Sequence, residues 1–226
     1  MLKAVIFDFD GVLVDSELLH YEAFSHILSP LNVKMSKQQY FDKYLGLSDE
    51  ELIRTVNKEQ KLILSESQVK QLLAEKASIF KTLAVSHASI IEGVPGFLKM
   101  LSENKIPMAV CSGALLEEIE MILKGAKLRD YFDVIVSAEQ VKKGKPDPEG
   151  FLLALKLLNK ESPDAIKPKD CIVIEDSHWG LEAAKAAGMH PVAVTNSYSA
   201  DQLKPADTIV ANIGELTLHD LQNICC

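Results

Sequence analysis

The chain has 226 residues, 47% of them hydrophobic and 25% charged, with a formal net charge of -8 at pH 7. That length suits one main domain carrying a smaller insertion, and the apolar share is ample for a packed core. The acidity leaves no electrostatic footprint for nucleic acid or an anionic membrane, although a bound cation would still let the protein receive a small anionic substrate.

Apolar runs mark the expected strands in chain order: residues 2–7, 106–111, Val134–Val136, 171–174, 191–194 and a weaker Thr208–Val210. They are continuously apolar, not alternating, which suits strands buried on both faces of a parallel sheet. Helix-length segments separate them. Asp147-Pro148 reads as an N-cap followed by the first helical residue, and Gly188 closes an alanine-rich helix. Strand and helix in alternation predict an α/β fold with a doubly wound parallel sheet.

Residues 16–85 break that alternation. They hold no convincing strand, but Ser36-x-x-Gln39, Ser48-x-x-Glu51 and Ser65-x-x-Gln68 all have the capping-box pattern of helix starts. The expected organisation is therefore a core of residues 1–15 and 86–226 with an α-helical cap domain, residues 16–85, inserted after the first strand. Hinges are expected where the chain leaves and re-enters the core. The first apolar run is interrupted too early for a signal peptide, and no segment has the length of a membrane span. The expectation is a cytoplasmic protein, monomeric or weakly dimeric. Cys111 and Cys171 lie in apolar runs and read as buried thiols. Cys225-Cys226 lacks the C-a-a-X form of a prenylation signal and is expected to be a frayed tail with exposed thiols.

Ligands of an open parallel sheet bind beyond the carboxyl ends of its strands. Four such positions carry polar chemistry: Asp8 and Asp10, Ser112-Gly113, Lys145, and Glu175-Asp176. Carboxylates gathered in one place repel one another unless a cation neutralises them, and oxygen donors without Cys or His point to Mg²⁺. Asp8 is a weak nucleophile that can attack phosphorus once the phosphoryl charge is neutralised. Lys145 suits that neutralisation, Ser112 and the Gly113 amide suit donation to phosphoryl oxygens, and Asp10 suits proton transfer. Each feature alone reads as a solvated loop, a helix cap or a surface charge. Their common placement at strand ends is what argues for a site.

Asp8-Phe9-Asp10-Gly11-Val12-Leu13-Val14-Asp15-Ser16-Glu17 closely resembles the first motif of the haloacid dehalogenase-like hydrolases. Cys111-Ser112-Gly113, Lys145-Pro146-Asp147-Pro148 and Ile174-Glu175-Asp176-Ser177 resemble the second, third and fourth. The helical insertion is similar to the cap of the subgroup containing β-phosphoglucomutase and many sugar-phosphate phosphatases. The resemblance implies Asp8 as nucleophile, Asp10 as general acid/base, and Ser112 and Lys145 as phosphate-site residues. It also implies Mg²⁺ held by Asp8, the Asp10 carbonyl and Asp176, with Glu175 beside them. Substrate-binding positions would be Gly11, Ser112, Gly113 and the cap residues His20, Gly46 and Lys76. By sequence spacing, Lys76 falls within an apolar stripe with Val69, Leu72, Leu73, Phe80 and Leu83, and reads as a snorkelling stem with an exposed ammonium. His20 shares a stripe with Phe24, Ile27 and Leu31.

The segment Tyr44–Glu51 resembles the specificity loop of that cap, but Leu45 and Asp49 stand where the mutase is basic. A carboxylate facing a second phosphate is repulsive, so the reading favours hydrolysis of a small phosphate monoester, a sugar phosphate by resemblance. Alternatives are a β-phosphoglucomutase-like mutase and, in another class, a phosphoaspartate signalling or binding module, against which the cap and Asp10 both argue.

Overall fold

The computed structural model describes residues 1–45, 47–87, 89–161 and 165–225, so the expected site residue Gly46 lies outside the described residues. The first half of the chain runs β1 (Ala4–Phe7), β2 (Val14–Asp15), α1 (Glu17–Leu28), α2 (Lys37–Gln39), α3 (Asp49–Gln60), α4 (Glu66–His87), β3 (Ser89–Ile90) and α5 (Val94–Glu103). The second half runs β4 (Met108–Cys111), α6 (Leu116–Gly125), β5 (Val134–Val136), α7 (Glu149–Glu161), β6 (Cys171–Glu175), α8 (His178–Ala186), β7 (His190–Val194), β8 (Thr208–Val210) and α9 (Leu218–Ile224). These divide into two compact units, Met1–Asp15 with Ser89–Cys226, and Ser16–Ala88.

The first unit is built on a six-stranded parallel sheet in the order β5-β4-β1-β6-β7-β8. Each expected apolar run became a strand, and β1 is wholly buried, as a central strand covered on both faces must be. On one face Ala4, Ile6, Ala109 and Val173 pack with Phe151, Ala154 and Leu158 of α7 and Ala183 and Ala184 of α8. On the other, Phe7 meets Phe97 of α5 and Phe132 edge-on, with ring centroids 6.0 and 5.8 Å away. The chain builds outward from β1 through β4 to β5, then returns to its other side with β6. That reversal puts the topological switch point at the carboxyl end of β1, where Asp8 follows. The segments entering and leaving this unit pair as a short antiparallel ribbon, Val14 opposite Ile90 and Asp15 opposite Ser89.

The second unit has its own core, including Phe24, Ile27, Leu28, Tyr40, Leu52, Ile53, Val56 and Val69. All three serine caps form: Ser36 and Ser48 make reciprocal capping boxes, and the Ser65 hydroxyl accepts from the Gln68 amide while its own amide donates to the Gln68 side chain. Among the described residues no helix is long and apolar enough to cross a membrane.

Three local expectations need correction. The stripe of α1 stops at Leu28, because Pro30 follows in a single 3₁₀ turn, Ser29–Leu31, and Leu31 therefore leaves the helix. Helix α7 begins at Glu149, one residue later than the Asp147-Pro148 reading, although the Asp147 carboxylate does accept the Glu149 amide at 3.0 Å. Cys225 is not part of a frayed tail: it is 7% exposed, and its carbonyl accepts the Met1 amino group at 2.7 Å. Cys226 lies outside the described residues.

Candidate active site

The end of β1 delivers Asp8 between the ends of β4 and β6, and the loop after β5 returns Lys145 to the same point. The Lys145 ammonium donates to Asp8 Oδ1 and to Glu175 Oε1, each at 2.6 Å, and lies 5.3 Å from the Phe151 ring centroid. Carboxylate oxygens of Asp8, Glu175 and Asp176 all lie within 4.8 Å of one another, and all three residues are buried.

Burial of the Asp8 carboxyl pushes its pKa up to about 7; Lys145 opposes this, while Glu175 and Asp10 add to it. Asp176 is raised well above the usual carboxylate range, first by burial and then by Glu175 and Asp8, with Ser197 opposing. Burial works against the Lys145 charge, but Asp8 and Glu175 outweigh it and hold the ammonium above its ordinary value. Three carboxylates face one ammonium, so once ionised they carry two negative charges in excess of it. An all-oxygen donor set with that excess fits a hard divalent cation such as Mg²⁺.

The three acids are not equivalent. Glu175 Oε1 is taken by Lys145, and Oε2 accepts the amides of Asp176 and Ser177 and the Ser177 hydroxyl, each at 2.9 Å. Its contacts chiefly fix Lys145 and the start of α8. The fit is so close that a Cβ on Gly180 would strike the Glu175 carboxylate. Gly11, at φ +74°, plays the matching part for Asp176, since a Cβ there would strike that carboxylate and the Ser197 hydroxyl.

Ser112 is buried at the end of β4, and its hydroxyl oxygen accepts the Ala114 amide at 3.0 Å, which leaves the hydroxyl proton to donate. Open space surrounds the position a Cβ would take at Gly113. Asp10 bridges to Val14 and is partly exposed. Cys111 is buried, and that burial pushes its thiol up to about 12, away from the thiolate form. Sequence reading missed Asn196 and Ser197, although they follow the β7 run in the same way that Asp8 follows β1. Asn196 Nδ2 donates to the Gly11 carbonyl at 2.7 Å, and the Ser197 hydroxyl donates to Asp176 Oδ2.

In the second unit Lys76 differs from its expected snorkelling form. The residue is 2% exposed, and its ammonium contacts Asp49 Oδ1 and Oδ2 at 2.9 and 2.8 Å and His20 Nδ1 at 2.7 Å. Three acceptor atoms on two residues use all three of its protons. The Phe24 and Phe80 ring centroids lie 5.0 and 4.9 Å from the ammonium, and the His20 ring stacks on Phe80. Burial, followed by the Lys76 charge, lowers the His20 pKa well below its usual value, so its Nδ1 accepts and the ring is neutral.

Residues 5–194 match the family model of the haloacid dehalogenase-like hydrolases. The chain belongs to this family. The hydrolase is 32% identical over 192 residues to a phosphorylated carbohydrates phosphatase of Thermotoga maritima, covering 84% of each chain. It is also 30% identical over 226 residues to the β-phosphoglucomutase of Bacillus subtilis, covering 96% of this chain and 92% of that one. Among solved structures, CbbY from Rhodobacter sphaeroides in complex with phosphate matches with a TM-score of 0.84 at 25% identity, over 98% of this chain and 100% of that one. These relatives place the hydrolase in the β-phosphoglucomutase-like subgroup and make it an enzyme of the phosphatase type.

Proposed function

We propose that this hydrolase is a magnesium-dependent phosphatase that cleaves a small phosphate monoester, best represented by sugar or polyol phosphates, through a phosphorylated Asp8. The observation that supports this most is the Lys145 ammonium held between Asp8 and Glu175, with Asp176 alongside. In this reading an Asp8 oxygen attacks phosphorus, the ester P–O bond breaks, and Asp10 as the acid protonates the departing alkoxide. Asp10, now a carboxylate, then takes a proton from water as that water attacks the aspartyl-phosphate; the P–O bond to Asp8 breaks, and phosphate and Asp8 are released. Lys145 keeps Asp8 ionised and meets phosphoryl charge, and the Ser112 hydroxyl and the Gly113 amide donate to phosphoryl oxygens. Asp8 and Asp176, with the Asp10 carbonyl, would hold Mg²⁺, which when bound supplies positive charge against the phosphoryl oxygens.

The likeness to the Bacillus subtilis mutase supports a second reading, phosphate transfer within a phosphosugar. The saturated Lys76 favours hydrolysis, because an ammonium already committed to Asp49 and His20 offers no proton to a second phosphate. We place the enzyme in the cytoplasm, as a monomer or weak dimer. Phosphate release from a panel of phosphate esters with Mg²⁺, wild type against Asp8→Asn, tests the proposal. Loss of at least about 10³-fold in turnover is expected for the variant. Robust hydrolysis by Asp8→Asn would remove Asp8 as nucleophile, and isomerised product without free phosphate would favour the mutase.

A further inference from the structure

β7 ends at the same sheet edge as β1, β4 and β6, with Ala193 opposite Glu175 in the parallel register. Its chain therefore leaves the sheet one strand from Asp176. The Thr195 amide donates to the Val210 carbonyl at 3.1 Å and fixes the root of the following loop to β8. From that root Asn196 reaches the Gly11 carbonyl and Ser197 reaches Asp176 Oδ2. Because a Cβ on Gly11 would touch both the Asp176 carboxylate and the Ser197 hydroxyl, these three groups fill one close-packed spot.

We propose that Ser197 is a positioning residue that orients the Asp176 carboxylate toward the metal. This rests on the metal-dependent reading above. A carboxylate turns about its Cβ–Cγ bond, and a buried one without a fixed donor has no single orientation to present. The Ser197 hydroxyl pins Oδ2, and among the described residues no donor engages Oδ1, so Oδ1 is the oxygen left to ligate. Asn196 holds the loop after Asp10 from the same segment, which ties the two halves of the donor set to one strand end. Partners of this kind, one step behind a metal ligand, commonly change metal affinity about 10–100-fold when removed.

The test is calorimetric titration of the whole 226-residue chain with Mg²⁺, comparing wild type, Ser197→Ala, Ser197→Thr and Ser197→Val, the last isosteric with threonine. Ala and Val are expected to weaken binding about 10–100-fold, and Thr to retain it. The Thr and Val pair differs in the hydroxyl alone, so a packing role would move both together. Circular dichroism and melting of the metal-free proteins check that each variant is folded. Equal affinity in wild type and the folded Ala or Val variant would overturn the positioning role and leave the metal reading standing. A wild type that shows no saturable Mg²⁺ binding would overturn both.

Discussion

Removing Asp49 should destabilise the protein far more than removing its partner Lys76. The ammonium is buried and its carboxylate partner is not: the side chains are 3% and 42% exposed. At 2.8 Å the pair attracts with about 6 kcal/mol in a medium of effective dielectric constant near 20. Most of that only offsets the desolvation of the lysine. Breaking a fully buried pair costs roughly 3–5 kcal/mol; with water able to replace the exposed carboxylate, Asp49→Ala should cost about 2 kcal/mol. For a chain of this size that is a fall of about 4–8 °C in melting temperature. Lys76→Met should instead lie within about 1 kcal/mol of wild type, because Met fills the space between Phe24 and Phe80 and the stranded Asp49 rehydrates. In the Lys76→Met background, Asp49→Ala should lose most of its effect, retaining only the small dipole contribution of an acid in the first turn of α3. Urea unfolding of the four proteins closes the cycle. A neutral Asp49→Ala, or an equal effect of Asp49→Ala in both backgrounds, would refute the reasoning.

Two further outcomes follow from buried contacts. His20 is held neutral in the fold, its pKa well below 6.5, so below that pH the unfolded chain binds a proton there that the folded one does not. Its contribution to stability therefore falls as pH drops below about 6.5, by at most about 1.4 kcal/mol per pH unit, and His20→Gln should flatten the wild-type decline between pH 7.5 and 5.5 in urea unfolding. A constant gap between the two proteins across that range would contradict this. Gly180→Ala should lower stability by about 1–3 kcal/mol and impair turnover, because its methyl group enters the Glu175 carboxylate; a gain near the 1 kcal/mol that helix propensity alone gives would show that the helix start yields without effect.

The fold was legible because a buried parallel strand must be apolar throughout, and five runs of that kind are plain in the chain, with the weaker sixth, Thr208–Val210, becoming a part-exposed edge strand. The acids could be read for the same reason, since β1 and the apolar part of β6 each stop where an acidic residue begins, and Lys145 follows in the loop after β5. What escaped notice depends on partners distant in sequence. Cys225 looks like a tail until its carbonyl meets Met1, 224 residues away. Lys76 looks like a surface lysine because amphipathic spacing gives its place on a helix and not the presence of Asp49 and His20 from two other helices. Ser197 carried a usable signal, a polar cluster after the β7 run, but a serine after a strand is common enough that only its contact with Asp176 distinguishes it.

The two units treat buried charge in opposite ways. In the second, Lys76 is balanced within the protein by Asp49, and a neutral imidazole completes its coordination. At the strand ends of the first, Lys145 is outnumbered by Asp8, Glu175 and Asp176, and burial raises both Asp8 and Asp176. Folding alone would not favour that arrangement, since apolar residues of similar size would be easier to bury. Glycine at positions 11 and 180, one at positive φ and one at a helix start, makes room for the carboxylates and forgoes the side-chain packing and helix propensity that other residues would add. Local preference is set aside at the same few positions where the acids converge, as expected of a site shaped for a ligand and not for the stability of the empty fold. The paired lysine in the second unit shows no such sacrifice, because Asp49 balances its charge within the protein.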